Sequence, residues 1–318
     1  MLKKNIRQIF EKNNVNLVLL DLGASGGTYK PFERILNYSC LVEVDPDHRD
    51  FTDEISSKEK RIVVREAIIG NRECDSTEIH LTSDPHCSST LRPDFSKLSN
   101  YSYAHLFEVQ RTISVPATSL DRLSKKLNTH FDWLKIDTQG SELEILQSMQ
   151  GALLDKLLCC DAEVSLYPHY IDAGSFSNFH DFMTSNGFQV ANLIRVQSRL
   201  RLRKEDIQPF LAQGGRKSAL NRWPTSLELR YIRAIGHDTP LPAIDIYLRL
   251  WLIAYTTGNH AYCFFLARRL EEDRPELIDL AKLLQTTCVQ SAGFFQGLGK
   301  KIQLKLITAI ERILGGLG

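Results

Sequence analysis

Several features are missing from this sequence, and each absence removes a class of protein. No run approaches the ~18 continuous apolar residues that a membrane-spanning helix needs. The opening MLKKNIRQIFEKNN has no apolar core of the kind found in a signal peptide. The seven cysteines are scattered, odd in number and without a CxxC pair. That argues against a disulfide frame or a zinc site and fits reduced, mostly buried thiols in a cytoplasmic protein. Neither sign of charge is in excess: the net charge of +1 creates no global field for a nucleic acid or an acidic partner. There is no internal repeat and no low-complexity segment. Histidine and carboxylate pairs at metal-ligand spacing are absent apart from Asp84-Pro85-His86, which reads as a turn, so no metal is expected. What remains is a chain of 318 residues, 43% hydrophobic and 24% charged, long enough for one large core and an extension.

The most informative segment runs from Leu17 to Pro46. An apolar run, Leu17 to Leu20, ends in Asp21 and enters the small-residue turn Gly23-Ala24-Ser25-Gly26-Gly27. A helix-like stretch follows, then a second apolar run, Cys40 to Val44, which ends at Asp45-Pro46. This is strand, glycine turn, helix, strand, acid. Glycines let the backbone turn tightly and approach a ligand, and an acid about 20 residues later is placed to accept hydrogen bonds from a ribose diol. A dinucleotide turn has glycine where this chain has Asp21, and an acid there would repel a pyrophosphate. It suits S-adenosylmethionine (SAM), which has an ammonium, a sulfonium and a ribose. The alternative is a βαβ unit with a tight turn and no ligand. The reading assigns Asp21, Gly23, Ala24, Ser25, Gly27 and Asp45 to cofactor binding.

A second constellation lies at FDWLKIDTQGSELEIL (131–146), where an apolar strand ends in Asp137 and a helix begins after Gly140. Together with DLGASGG, VDPD, VPATSLDRL (115–123) and AEVSLYPHY (162–170), it closely resembles the FkbM-type family of SAM-dependent methyltransferases over residues 15–195. The resemblance implies a Rossmann-like class I methyltransferase sheet with helices on both faces. It matches Asp45 to the ribose-binding acid, with Glu43 as second choice, places Glu66 and Ala67 against the adenine ring, and puts His169 in a wall of the acceptor pocket. It also implies O-methylation of a hydroxyl on a sugar, glycan or other secondary metabolite. A SAM-binding sensor or assembly subunit without activity, and an N-methyltransferase, are the competing classes.

Strand-like runs fall near 17–21, 40–44, 61–69, 132–136, 157–166, 188–195 and 226–234, with helical spacing between most of them, the pattern of a doubly wound α/β sheet. Thr77 to Thr82 reads as a short extra strand, and 83–112 as an excursion over the mouth of the site. Ligands of such sheets bind beyond the carboxyl ends of the strands, where Asp21, Asp45, Asp137 and Glu163 gather. Carboxylates crowded at one rim repel each other unless a cation or donors intervene. Asp137, Glu163 and His169 are the candidates for the general base that removes the acceptor proton. The structural alternative for Asp137 is a helix cap; for His169 it is a packed or hydrogen-bonding residue.

Between Arg195 and Arg222 eight basic residues (Arg195, Arg199, Arg201, Arg203, Lys204, Arg216, Lys217, Arg222) face two acids, Glu205 and Asp206. This is either a solvated face or a guide for a phosphate- or carboxylate-bearing acceptor such as a nucleotide-linked or lipid-linked sugar. Interleaved aromatics are nearly missing, which argues against nucleic acid. The expected division is a methyltransferase domain at 1–235 and a helical extension at 236–318. At its end Ile302, Leu306, Ile310 and Ile313 line one face of a helix stopping at Gly315-Gly316. Such a helix packs on its own domain, on a second copy, or in the plane of the inner membrane surface.

Overall fold

Leu17–Leu22 (β1) is buried along its whole length, as an apolar strand covered on both faces of a parallel sheet must be. It lies inside the molecule's main sheet, between β2 (Ser39–Val44) and β7 (Trp133–Ile136). The computed structural model describes residues 10–13, 15–24, 27–47, 60–70, 74–149 and 151–290. Further strands are Ser39–Val44 (β2), Lys60–Val64 (β3), Ala67–Ile68 (β4), Ser76–Thr82 (β5), Val109–Thr118 (β6), Trp133–Ile136 (β7), Cys159–Ser165 (β8), Phe188–Leu200 (β9) and Arg222–Arg233 (β10).

Seven of them form one sheet in the order β3-β2-β1-β7-β8-β10-β9. The first five are parallel, and β10 runs antiparallel to both β8 and β9. After β3 the chain crosses back to lay β7 beside β1, so the sheet has a switch point between β1 and β7. This is the Rossmann-like class I methyltransferase sheet that the sequence implied.

The faces differ in chemistry. On one face Leu20, Leu22, Leu134, Ile136, Ala162 and Val164 meet helices Leu120–Leu127, Glu142–Ser148 and Phe176–Ser185 in a continuous apolar cluster. On the other, Phe32 of helix Lys30–Glu33 sets its ring edge-on against Trp133, 5.2 Å between centroids. Strand residues alternate between the faces, so the charged residues of β1, β2, β7, β8 and β10 share this second face with Trp133.

The predicted run 61–69 is interrupted at Arg65–Glu66. Its first half is β3 of the main sheet, and its end is β4 of a separate three-stranded sheet, order β4-β6-β5, with its own small core. The extra strand expected at 77–82 is β5. The ten residues of β6, whose start falls within the predicted excursion, are a strand that the sequence reading did not include. β9 continues past Arg195 to Leu200 and β10 starts at Arg222, where the hairpin overhangs the end of β8. An overhang has less surface to bury, and its polar residues carry no hydrophobic pattern.

The chain divides into two compact units, Asn14–Ala234, and Ile235–Gly318 with Met1–Asn13. The second unit contains helices Ile244–Thr256, His260–Asp273 and 278–290, within the extension expected to be helical. Phe10 is fully buried in it, with its ring 6.3 Å from that of Trp251. Residues 10–13 therefore group with these helices, whereas the sequence reading counted them with the methyltransferase domain. The amphipathic helix expected at 302–313 lies outside the described residues.

Candidate active site

The glycine turn begins where β1 and β7 touch. Gly23 has φ +77°, donates its N–H to Val44 O at 3.0 Å, and sits so close to β7 that an added Cβ would lie 2.0 Å from Asp137 O. Asp137 N–H in turn donates to Leu22 O at 3.1 Å. Only a residue without a side chain lets these two strand ends come together.

One row below the rim, charged residues stand opposite one another across four ladders: Glu43, Asp21, Lys135, Asp161 and Arg230. Each acid is matched. Arg61 pairs with Glu43, which also accepts from Thr28 Oγ1 at 3.3 Å. The Lys135 ammonium is 3.1 Å from Asp21 and donates to Gly23 O at 2.7 Å. Arg230 grips Asp161 with two hydrogen bonds of 2.6 and 2.7 Å. Burial pushes the Asp21 carboxyl up to about 6, against the pull of Lys135. Burial works to lower the Lys135 pKa, but Asp21, Asp137 and Asp45 hold it above the usual range. Asp21, read from the sequence as the acid facing the ligand's ammonium, is instead buried and occupied by Lys135. The cation in that position belongs to the protein.

The rim row is two residues further along the same strands. Asp45, Asp137 and Glu163, from three different strand ends, line one cleft of about 510 Å³. Gly23, Ala67, Ile68 and His169 line it too, and so does Lys135. Of the two candidates for a ribose partner, Asp45 faces the cleft while Glu43 is consumed by Arg61. Glu66 points elsewhere, in an ion pair of 2.6 Å with Lys126. Ala24 is buried, and Gly27, at φ +97°, has open space where a Cβ would stand. Neither is a wall of the cleft. Ser25 lies outside the described residues.

Asp137 is not the helix cap. Helix Glu142–Ser148 has no side-chain capping bond at Ser141, and the Glu142 carboxylate instead closes the preceding loop, accepting from Thr138 N–H at 2.8 Å and Gly140 N–H at 3.0 Å. Asp137 accepts from Gln139 Nε2 at 2.6 Å, and Gln139 is itself held by Tyr170 Oη at 3.1 Å. The loop keeps the Asp137 carboxylate turned to the cleft. Glu163 accepts from Gln197 Nε2 at 2.8 and 2.9 Å and from Ser226 Oγ at 2.9 Å. Burial first, and then the negative charge of Asp137, push its carboxyl up to about 7. His169 is packed between Tyr101, Tyr103 and Phe107 and hydrogen-bonded to Tyr103 Oη at 2.7 Å. Burial, with Arg199 and Lys97 adding to it, lowers its pKa to about 4, so it is neutral at physiological pH.

Over the opening lies the excursion expected from the sequence. Asp84 to Thr90 and Tyr103, Leu106 and Phe107 form the outer wall. Asp84-Pro85-His86 is a 3₁₀ turn in which the Asp84 carboxylate accepts from His86 N–H at 3.1 Å. Among the described residues no group of histidine, cysteine and carboxylate side chains could hold a metal ion.

The family follows from one comparison. Residues 21–190, more than half of the chain, match the model of the methyltransferase FkbM domain. The chain belongs to the FkbM methyltransferase family. It is therefore a methyltransferase that uses SAM. The cleft suits that cofactor: three carboxylates surround it, as a ligand with two cationic groups requires, beside an apolar strip from Ala67 and Ile68.

No curated protein matches this FkbM methyltransferase significantly. Solved structures similar to it include M. capricolum TrmK with bound S-adenosyl-homocysteine (SAH), 10% identical over 93% of this chain and 98% of that one, TM-score 0.32. Another is a Pyrococcus horikoshii protein assigned as an RNA methyltransferase, 11% identical over 73% and 81%, TM-score 0.32. Likeness at this level carries no argument about substrate. Among the described residues, no helix of the FkbM methyltransferase is long and apolar enough to cross a membrane.

The sequence reading did not single out Lys135, Gln197 or Ser226 as site residues. Lys135 was legible as the partner of Asp21 from strand register, since both stand two residues before a rim position. Gln197 and Ser226 reach Glu163 only through the β9–β10 hairpin and left no such signal.

Proposed function

We propose that this FkbM methyltransferase transfers the methyl group to a hydroxyl of a small molecule, a sugar or another secondary metabolite. One observation carries the reading. Glu163, a carboxyl raised to about 7, lines the same cleft as Asp45 and Asp137. A base poised near the working pH is what hydroxyl activation needs, because the acceptor proton must be removed during or after attack. An amine acceptor needs no such base at the moment of transfer.

SAM supplies a methyl group bonded to a sulfonium and is left as the neutral thioether of SAH. The residues then divide the work. Asp45 holds the ribose diol, Ala67 and Ile68 the adenine, and Gly23 lets the backbone approach the ligand. Asp137, fixed by Gln139, favours the cationic end and keeps Glu163 from ionising too easily. Glu163 receives the hydroxyl proton, with Gln197 and Ser226 fixing its orientation. Orientation is worth as much as basicity, since the acceptor oxygen must lie in line with the sulfonium carbon.

The test combines titration calorimetry with SAM and SAH and SAH release from a panel of hydroxyl and amine acceptors. Micromolar SAH binding and turnover confined to hydroxyls, with Glu163→Gln binding SAH but inactive, are expected. Turnover of amines that survives in Glu163→Gln would overturn the reading.

A further inference from the structure

The basic run that begins at Arg195 is sorted by where β9 ends, at Leu200. Arg195, Gln197 and Arg199 occupy alternate positions of β9 and line the cleft. Arg201 and Arg203 do not: Arg201 stacks on Trp223, 4.7 Å from its ring centroid, and Arg203 binds Asp206 at 2.6 Å. The two arginines in the cleft differ in how their charge is met. Arg195 sits between Glu163 at 3.4 Å and Glu228 at 3.2 Å. Arg199 donates to the neutral Gln197 Oε1 at 3.1 Å and lies 5.7 Å from the centroid of the Tyr103 ring. Among the described residues no carboxylate pairs with Arg199. Asp84, an acid on the same wall, closes its own turn on His86 N–H.

The cleft is thus polarised. Its cofactor end is lined by the carboxylates of Asp45, Asp137 and Glu163, and its outer end is walled by neutral His169 and Tyr103, the unmatched Arg199 and a single acid, Asp84. Arg195 stands level with Glu163, both facing Glu228 in the ladders, and Arg199 is four residues further on. At about 3.3 Å per residue that separation is on the order of 13 Å along the strand.

We propose that Arg199 is an oxyanion-binding residue, and that the acceptor of this enzyme carries a phosphate or carboxylate several bonds from the hydroxyl that is methylated. The proposal rests on the methyl-transfer reading of the cleft. A guanidinium fits an oxyanion with two parallel N–H donors, and the Nε and Nη1 of Arg199 are not engaged by other described residues. Arg199 is exposed at the mouth of the cleft, with the Tyr103 ring and Gln197 Oε1 as its neighbours. An anionic tail there pulls the acceptor's other end toward Glu163. At the cofactor end the same tail would be repelled by three carboxylates, so the charge pattern also sets the direction in which the acceptor enters.

The probes are inorganic phosphate and acetate, titrated at constant ionic strength into full-length protein saturated with SAH and followed by line broadening of the ligand's magnetic resonance. Wild type, Arg199→Gln, Arg199→Lys and the control Arg201→Gln are compared. Millimolar binding of at least one anion is expected, weakened tenfold or more by Arg199→Gln, weakened less by Arg199→Lys and unchanged by Arg201→Gln, with SAH affinity equal in all four. Tighter phosphate than acetate points to a phosphorylated acceptor, and the reverse order to a carboxylated one. No binding by the wild type, or equal binding by wild type and Arg199→Gln, overturns the proposal. Failure of the wild type to bind SAH strikes the methyl-transfer reading instead.

Discussion

Lys135 stands directly opposite Asp21 in the β1–β7 ladder, and its ammonium lies 3.1 Å from the Asp21 carboxylate. Both side chains are almost wholly removed from water, at 16% and 2% exposure. The pair sits one row beneath the rim of the cleft and also anchors the glycine turn through Gly23 O. Removing one partner of such a pair leaves a buried charge without compensation, which costs about 3–5 kcal/mol. Lys135→Met should lose stability on that scale in urea unfolding at pH 7.5. The double variant Asp21→Asn/Lys135→Met should recover most of it. A single variant within 1 kcal/mol of wild type, by the roughly 3–5 kcal/mol standard, would mean the pair is not coupled.

Asp45 and Glu43, two residues apart, should separate cleanly. Asp45→Ala is expected to weaken SAM by about 1.5–3 kcal/mol, the scale of a hydrogen bond to a charged group. Glu43→Ala should instead strand the Arg61 guanidinium and lower the unfolding midpoint while leaving SAM affinity nearly intact. Titration calorimetry beside thermal melts distinguishes the two.

Glu163 makes a prediction about pH. Its carboxyl is raised from 4.5 to about 7, so the folded protein holds a proton there that the unfolded chain releases. Stability from this group therefore grows as pH falls from 7 toward 4.5, and above pH 7 the buried charge is a cost. Glu163→Gln should flatten that part of the melting profile and melt higher than wild type at pH 8. In the wild type, turnover should fall as pH drops through 7, because the base becomes protonated. A turnover profile flat from pH 6 to 8 would remove Glu163 from the chemistry.

His169 behaves in the opposite sense. Its pKa is lowered from 6.5 to about 4, so the unfolded chain binds a proton that the folded one refuses. The stability it contributes is complete above pH 6.5 and is lost as pH falls toward 4. His169→Phe should lose about 1–3 kcal/mol at pH 7, since the Tyr103 hydroxyl is left without its partner. The same variant should lose less than wild type between pH 6.5 and 5. Melts at three pH values decide it.

Gly23→Ala tests the meeting of the two strand ends. The positive φ alone costs about 1–3 kcal/mol, and contact with Asp137 O adds to it. The variant should be destabilised and should bind SAH more weakly. Normal binding would show that the β1 and β7 ends can part without harm to the site.

Strand register explains what could be read in advance. Runs that are apolar on both faces marked β1, β2, β7 and β8. The acids that end them marked the rim, because a strand's last residues are the first to reach water or ligand. The small sheet was only half legible, since the first half of β6 is exposed and its polar residues break the hydrophobic pattern. The overhang of β9 and β10 was not legible past its buried part.

The sequence by itself determined the order of strand, glycine turn and strand-end acid, hence the family and its cofactor, because these depend on local backbone freedom and on a period of two. Which acids stay available for chemistry was decided only by the tertiary structure. Asp21 and Glu43 are quenched by Lys135 and Arg61 from other strands, Asp137 is held by Gln139, and Glu163 is raised by burial beside Asp137. A carboxylate's charge is set by its distance to other charges and to water, and those distances exist only after the strands have paired.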